Sequence, residues 1–229
     1  MSADDALRQA AQARGLPINN LAQLRQALTH KSLVPDRTLD SNERLEFLGD
    51  SVLGLVVNEY LCATFPERGE GELAKAKSLI VCKSALADAS RRMDIAPLIR
   101  LGHAEEAMGG RNRASIIADA YEALVAIIYL ESGYDVAREF ILKTLAPEIA
   151  DVSAVRDWRD PKTVLQELRQ GIRNSPPVYQ VTNEHGRQHD KTFTIEVLLD
   201  DVIVGTGVGK TKKEAQQAAA QAALELLKK

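Results

Sequence analysis

Acidic residues set among apolar neighbours are where this chain first shows chemistry. In Asn42-Glu43-Arg44-Leu45-Glu46-Phe47-Leu48-Gly49-Asp50-Ser51-Val52-Leu53, a helical repeat of about 100° per residue brings Glu43, Glu46 and Asp50 within about 60° of one another. Leu45, Phe47, Leu48, Val52, Leu53, Leu55, Val56 and Val57 surround them. One acid pair of this kind is ordinarily the solvated edge of an amphipathic helix. The stretch Ala114 to Leu130 resists that reading. ASIIADAYEALVAIIYL has Asp119 and Glu122 as its only charged residues, three apart and so on one face. Two carboxylates buried without partners are costly, so something cationic should meet them. A structural Arg or Lys is one candidate, and a metal ion is the other. Four carboxylates from two helices suit a hard cation such as Mg²⁺ or Mn²⁺. No Cys/His spacing speaks for zinc. His30, His103, His185 and His189 are too scattered to propose as general bases. For His30 a structural hydrogen-bonding role is the better reading.

The elements that must position these acids are mostly helical over residues 1–150. Apolar periodicity predicts helices at 3–13, 19–28, 43–64, 71–93, 113–132 and 134–146. Breaks are expected at Pro66-Glu67-Arg68-Gly69 and at Gly109-Gly110-Arg111-Asn112. No alternating strand pattern appears before residue 176, so an all-α domain follows. Residues 147–159 turn polar, and a linker is expected over 149–158. Beyond it Asp160-Pro161 opens a helix, with Asp160 as N-cap and Pro161 at the first helical position. Strands are expected at 178–181, 192–197 and 202–208, with a loop at 184–190 and a turn at Asp200-Asp201. An Ala-rich helix closes the order α-β-β-β-α at 212–227.

Composition narrows the function classes. The 229 residues are 45% apolar and 27% charged, which fits a folded chain with its own core. Net charge is −3, which argues against nucleic-acid binding over the whole surface. Residues 1–150 carry 17 basic and 21 acidic side chains, and residues 151–229 carry 12 and 11. Aromatics at 4% disfavour a single-strand binder built on stacking. Two cysteines, Cys62 and Cys82, exclude a disulfide scaffold, and Cys82 reads as a small buried residue. Neither a membrane span nor a secretory leader is visible, so a cytoplasmic location is expected.

The basic residues of the tail are concentrated. Lys210, Lys212 and Lys213 stand at the start of the last helix. Lysine there is mildly unfavourable for the helix dipole, so a phosphate ligand is the stronger reading over a plain solvated terminus. Arg111 and Arg113, in the loop before Asp119, read as surface charges.

These residues carry a resemblance. NERLEFLGDSVLG, Asp119-Ala120-Tyr121-Glu122-Ala123 and Ala27-Leu28-Thr29-His30-Lys31-Ser32 resemble the carboxylate and N-terminal motifs of the ribonuclease III family. The tail resembles that family's double-stranded-RNA-binding domain through Asp160 to Glu167, Gly186-Arg187-Gln188-His189 and Lys210 to Ala215. The fold implied is multidomain: an all-α endonuclease domain at 1–148, the linker, and a small α+β RNA-binding domain at 159–229. The implied activity is Mg²⁺-dependent hydrolysis of double-stranded RNA to 5′-phosphate and 3′-hydroxyl ends, with Mn²⁺ as a substitute and no small-molecule cofactor. The implied substrates are ribosomal-RNA precursors and structured transcripts. Metal ions would make water nucleophilic and offset charge on the leaving 3′-oxygen, while carboxylates hold them and pass protons.

Carried over residue by residue, Asp50 and Glu122 are catalytic, and Glu46, Asp119 and Glu122 bind metal. Glu43 and Glu70 become cleft candidates. Gln166, His189, Lys210, Lys212 and Lys213 would contact RNA, the helix and loop residues reaching 2′-hydroxyls and the lysines phosphates. A homodimer through the signature helix is implied, with Phe47, Leu48 and Val52 at its interface. The family pattern is broken at Lys77 and Cys82 and by Arg187 in place of a proline. Two rivals remain: a non-catalytic RNA-binding scaffold, and a Mg²⁺-dependent enzyme acting on small nucleotides, which leaves the tail unexplained.

Overall fold

The computed structural model describes residues 2–154, 160–172, 175–186 and 191–227. It divides into two compact units, Met1–Arg156 and Asp157–Lys229. The first is helical. Its main helices are α1 (Ala3–Ala13), α2 (Leu21–Ala27), α3 (Glu43–Thr64), α4 (Glu70–Ile80), α5 (Lys83–Arg92), α6 (His103–Ala107), α7 (Ala114–Thr144) and α8 (Ala146–Ala154). Among the described residues, no helix is long and apolar enough to cross a membrane.

The core of this unit is α3 packed on α7, with α5 against α7 on another side. Leu53, Val56, Val57 and Leu61 of α3 are fully buried, as are Leu124, Val125, Ile127 and Ile128 of α7. The tightest approach is at Gly49, where an added Cβ would lie 1.8 Å from the backbone oxygen of Glu122. Only a residue without a side chain lets the two helices meet here. Gly49 sits between Glu46 and Asp50 on α3, so this contact places the acids of α3 beside those of α7.

Three expectations change. The helix expected over 71–93 is two helices, because Cys82 takes an extended conformation (φ −70°, ψ 154°). Ile80 and Leu86 are six residues apart and would face different sides of one helix. The break lets both reach full burial. The expected separation of 113–132 from 134–146 holds: α7 consists of two helical stretches that meet at a kink at Gly133 (φ 81°, ψ −175°). The stretch expected to be a linker from 149 is helical through Ala154, because Ile149 and Val152 are buried against the first unit. Residues 155–158, and with them Trp158, lie outside the described residues. Cys82 is half-buried rather than buried, with Sγ 3.3 Å from the Leu79 carbonyl oxygen.

The second unit has the order α9 (Pro161–Ile172), β1 (Val178–His185), β2 (Thr192–Leu199), β3 (Val202–Gly209) and α10 (Lys212–Leu227). β1 runs four residues further than expected. The strands form an antiparallel sheet ordered β1-β2-β3. β2 and β3 are joined by Asp200-Asp201, both at positive φ (49° and 66°), which is the two-residue turn that matches strand twist. Asp160 caps α9 as expected, its Oδ1 accepting from Lys162 N at 3.1 Å. Ile195, Val197 and Leu199 face Ala215, Ala219, Ala220 and Ala223 of α10 in one buried cluster with Leu165. α10 can lie this close because β3 presents Gly205, Gly207 and Gly209, where added Cβ atoms would fall within 2.5 Å of its backbone.

Replacing Gly49 by alanine tests the helix contact. Alanine gains about 1 kcal/mol as a helix former, but the clash with backbone forces α3 and α7 apart. A net loss of about 3 kcal/mol is expected in urea unfolding of the full chain. An unchanged midpoint would mean that the approach at Gly49 imposes no constraint.

Candidate functional site

Glu46 of α3 and Asp119 and Glu122 of α7 converge. One carboxylate oxygen from each lies within 4.8 Å of the others, and all three side chains are half-buried. The sequence placed Asp50 with them. The structure sets it beside Glu122, close enough to act on that carboxyl electrostatically, on the exposed rim of α3 and outside the three-oxygen group.

The charge balance of the cluster is unfavourable by itself. Burial, then Asp50, Glu46 and Asp119, push the Glu122 carboxyl up to about 7. Burial and the Asp119 charge also raise Glu46. Lys83, at the first turn of α5, pairs with Asp119 (Nζ to Oδ1 3.3 Å) and works the other way on both glutamates. Lys83, 65% exposed, and Lys31, which is also exposed and engaged with Glu43, are the lysines that act on three clustered carboxylates and a fourth nearby. The structural-cation reading is therefore met only in part. An all-oxygen donor set, short of positive charge and partly withdrawn from water, fits a hard divalent ion.

The surroundings combine residues of the motifs with others that lie outside them. Lys31 Nζ donates to Glu43 Oε1 at 3.0 Å, so Glu43 is tied at the edge of the cluster. His30 does hold structure: its Nδ1 lies 2.8 Å from Ser32 Oγ and accepts from Ser32 N. Burial keeps its pKa below the ordinary imidazole value. Arg111 is no free surface charge. It donates from Nη1 to the carbonyls of Ala96 and Ile99 at 2.9 Å and grips Glu106 from Nε and Nη2. Arg113 pairs with Glu105 at 2.8 Å. Together they brace the loop from which α7 delivers Asp119 and Glu122. Lys83 lies on another element than the acids, so no spacing in the sequence announced it, and the sequence carried no sign of the carbonyls that hold Arg111. Glu70 is exposed at the first turn of α4, beside a cavity lined by Leu61, Cys62, Leu73 and Lys77, and is not part of the three-acid group.

Of the three residues expected at a subunit interface, Phe47 is 80% exposed and Leu48 is half-buried. Val52 is 6% exposed, because it turns inward with the core face of α3. It belongs to the subunit's own interior, and Leu55, eight residues after Phe47 on the exposed side, takes its place as surface.

In the second unit the α10 start is exposed at Lys210, Lys212 and Lys213. Thr211 Oγ1 accepts from Glu214 N at 3.1 Å, and Glu214 Oε2 accepts from Lys210 N at 2.9 Å, which caps the helix. Lys212 is pinned: it pairs with Glu184 at 3.1 Å and lies 5.5 Å from the Phe193 ring centre. Gln166 is exposed on α9, one turn beyond Lys162. Lys162 Nζ bonds Gln216 Oε1 at 2.8 Å, tying the first turns of α9 and α10. His189 and Arg187 lie outside the described residues.

Comparison with known proteins bears on both units. A family model described as Ribonuclease-III-like matches residues 20–149, and one described as Double-stranded RNA binding motif matches residues 161–227. Ribonuclease 3 of Desulforamulus reducens is 45% identical over 216 residues, covering 93% of this chain and 88% of that protein. Ribonuclease 3 of Borreliella afzelii is 41% identical over 214 residues, covering 93% and 87%. Among solved structures, the nuclease domain of ribonuclease III from Campylobacter jejuni is 35% identical with a TM-score of 0.59. That match covers 63% of this chain and 99% of that one, whose description names a flexible region involved in dimer formation.

The strain on Glu122 has a pH signature. Its folded pKa, about 7, exceeds the ordinary 4.5, so the native state binds more protons than the unfolded chain between those values. Its contribution to stability therefore falls as pH rises from 4.5 to 7. Glu122→Gln removes the penalty. In EDTA, the variant should be more stable than the wild type by about 2 to 3 kcal/mol at pH 8 and little changed near pH 4.5. Thermal unfolding across pH checks this, and a constant difference would count against it.

Proposed function

The chain belongs to the ribonuclease III family, and from that premise we propose that it cuts double-stranded RNA by Mg²⁺-dependent phosphodiester hydrolysis, leaving 5′-phosphate and 3′-hydroxyl ends. That it is an endoribonuclease with a double-stranded-RNA-binding module follows from the family itself. The observation that carries the metal dependence is the convergence of Glu46, Asp119 and Glu122 oxygens within 4.8 Å. These three would hold the ion, which when bound supplies a nucleophilic water and a counter-charge for the leaving oxygen. Mn²⁺ has the same preference for oxygen donors and would substitute.

The chain's own residues do the rest. Glu122 and Asp50 are the catalytic acids of this reading, placed to take and return protons at the reacting water and leaving oxygen. Lys83 tempers the repulsion among the acids. Arg111 and Arg113 fix the loop ahead of Asp119. Glu43 and Glu70 border the cleft. In the second unit, Lys210, Lys212 and Lys213 meet phosphates at the α10 start, with Gln166 and His189 reaching 2′-hydroxyls. The exposed Phe47 and Leu55 on α3, flanked by Leu48, support a homodimer through that helix. Two centres, one per subunit, would each cut one strand. The endonuclease domain corresponds to the first unit and the RNA-binding domain to the second. Stems in ribosomal-RNA precursors and structured messages, met in the cytoplasm, are the substrates of this proposal.

Cleavage of a long, perfectly paired RNA tests the reading. Discrete shortening is expected with Mg²⁺ or Mn²⁺ and not with EDTA. Glu122→Gln should lose at least about a hundredfold in rate while still binding RNA. Binding without cleavage by the wild type in either metal would leave an RNA-binding scaffold instead. Phe47→Asp should convert the dimer to monomer in sedimentation, and a variant that stays dimeric would place the interface elsewhere.

A further inference from the structure

The first unit has a concave site distinct in its lining from the acid cluster. It is a pocket of about 340 Å³ whose wall carries Arg25, Arg37 and Arg100 around Thr29 and Gln26, with Asp40 as its one acid. Such a concentration of guanidinium groups stands out where residues 1–150 hold 17 basic against 21 acidic side chains. Arg100 donates from Nη1 to Thr29 Oγ1 at 3.1 Å, and its side chain has no other acceptor among the described residues. Arg25 is paired with Asp4 and Arg37 with Asp40, both acids well exposed to solvent. Surface pairs of this kind contribute little, so the guanidinium groups are available to a stronger acceptor. Each presents a planar fork that matches two oxygens of one phosphate. Gln26 Nε2 holds the carbonyls of Leu39 and Ser41, which fixes the loop bearing Asp40 against α2.

The pocket and the acid cluster flank one short segment. Thr29 lines the pocket, and its carbonyl accepts from Asn42 N at 2.8 Å, at the cap of the helix that carries Glu46. Two residues on, Lys31 holds Glu43. We propose that this pocket is a subsite for a backbone phosphate of the RNA strand, outside the scissile position, and that it helps to set the duplex along the cleft. The proposal rests on the RNA-cleaving function above. A site for a free anion would bury its cations, whereas the Arg37 side chain is 77% exposed. That openness suits one phosphate of a long chain crossing the surface.

The test uses the full chain and the double variant Arg37→Ala/Arg100→Gln, in which glutamine keeps a donor for Thr29. Thermal unfolding should match the wild type. Binding to a perfectly paired RNA in EDTA should weaken about fivefold or more, with the slope of log affinity against log salt shallower by about 1. In cleavage with Mg²⁺, KM should rise by a similar factor and kcat change less than about twofold. A wild type that neither binds nor cuts the duplex would sink the RNA-cleaving function and this subsite together. An active wild type, with a folded variant equal to it in affinity, salt slope and KM, would sink the subsite alone. Inorganic phosphate, titrated while the arginine Nε–Hε signals are followed by NMR, separates the sources. Saturable shifts of these arginines with unchanged RNA parameters in the variant would assign the pocket to a free anion and overturn the proposal.

Discussion

Everything at the acid cluster depends on how closely α3 and α7 approach. The helices meet where Gly49 leaves room for the Glu122 carbonyl, and the apolar rows on either side of that point bury completely. The hydrophobic contact supplies the stability, and the missing side chain sets the distance. Together they hold Glu46 against Asp119 and Glu122, although these carboxylates repel one another. Burial makes the repulsion stronger by removing the water that screens it. The fold thus maintains a local electrostatic conflict that a divalent cation would relieve. Sites that work through bound ions are commonly preorganised in this way, with the ligand geometry maintained by packing rather than by the ion.

The second unit solves a different problem with similar means. Its lysines must stay outside, on a helix that has little else to hold it. Alanines on α10 and glycines on β3 bring helix backbone and strand backbone into direct contact. At the opposite end, Arg169 reaches Asp200 at 2.6 Å, while Ser175 donates to the same carboxylate. That pair of contacts secures the left-handed turn between β2 and β3. The Lys212 ammonium is held over Phe193 and beside Glu184. Its position is defined in the protein by itself, which would lower the ordering cost of binding an anion there.

Much of this was legible in the sequence, and the reasons differ by element. Helices α1, α3 and α10 matched their expected limits because their apolar spacing is regular and their ends are capped or followed by turn residues. The group Glu46, Asp119 and Glu122 was legible because charges isolated in apolar helices demand an explanation. The break at Cys82 was not, since neither glycine nor proline marks it and only tertiary packing of Ile80 and Leu86 requires it. Helix α8 was hidden for a related reason: Ile149 and Val152 alone carry its buried face, too few to show a period. Val52 and Phe47 lie on one helix five residues apart, and sequence alone does not say which of the two faces inward. Lys83 lies 36 residues from Asp119, and the Ala96 and Ile99 carbonyls that hold Arg111 lie 15 and 12 residues before it, so neither contact leaves a local pattern.

The strip of glycines on β3 has an evolutionary corollary. Each of Gly205, Gly207 and Gly209 meets the backbone of α10 directly, so any side chain gained there lifts the same helix whose first turn displays Lys212 and Lys213. A lineage therefore cannot drift along this strand and keep these lysines in register. Variation is channelled instead to the outer face of the sheet, where Val208 and Ile203 are exposed. The sheet can diverge on one side only, and its buried face serves as a fixed ruler for the position of charges that lie on a different element.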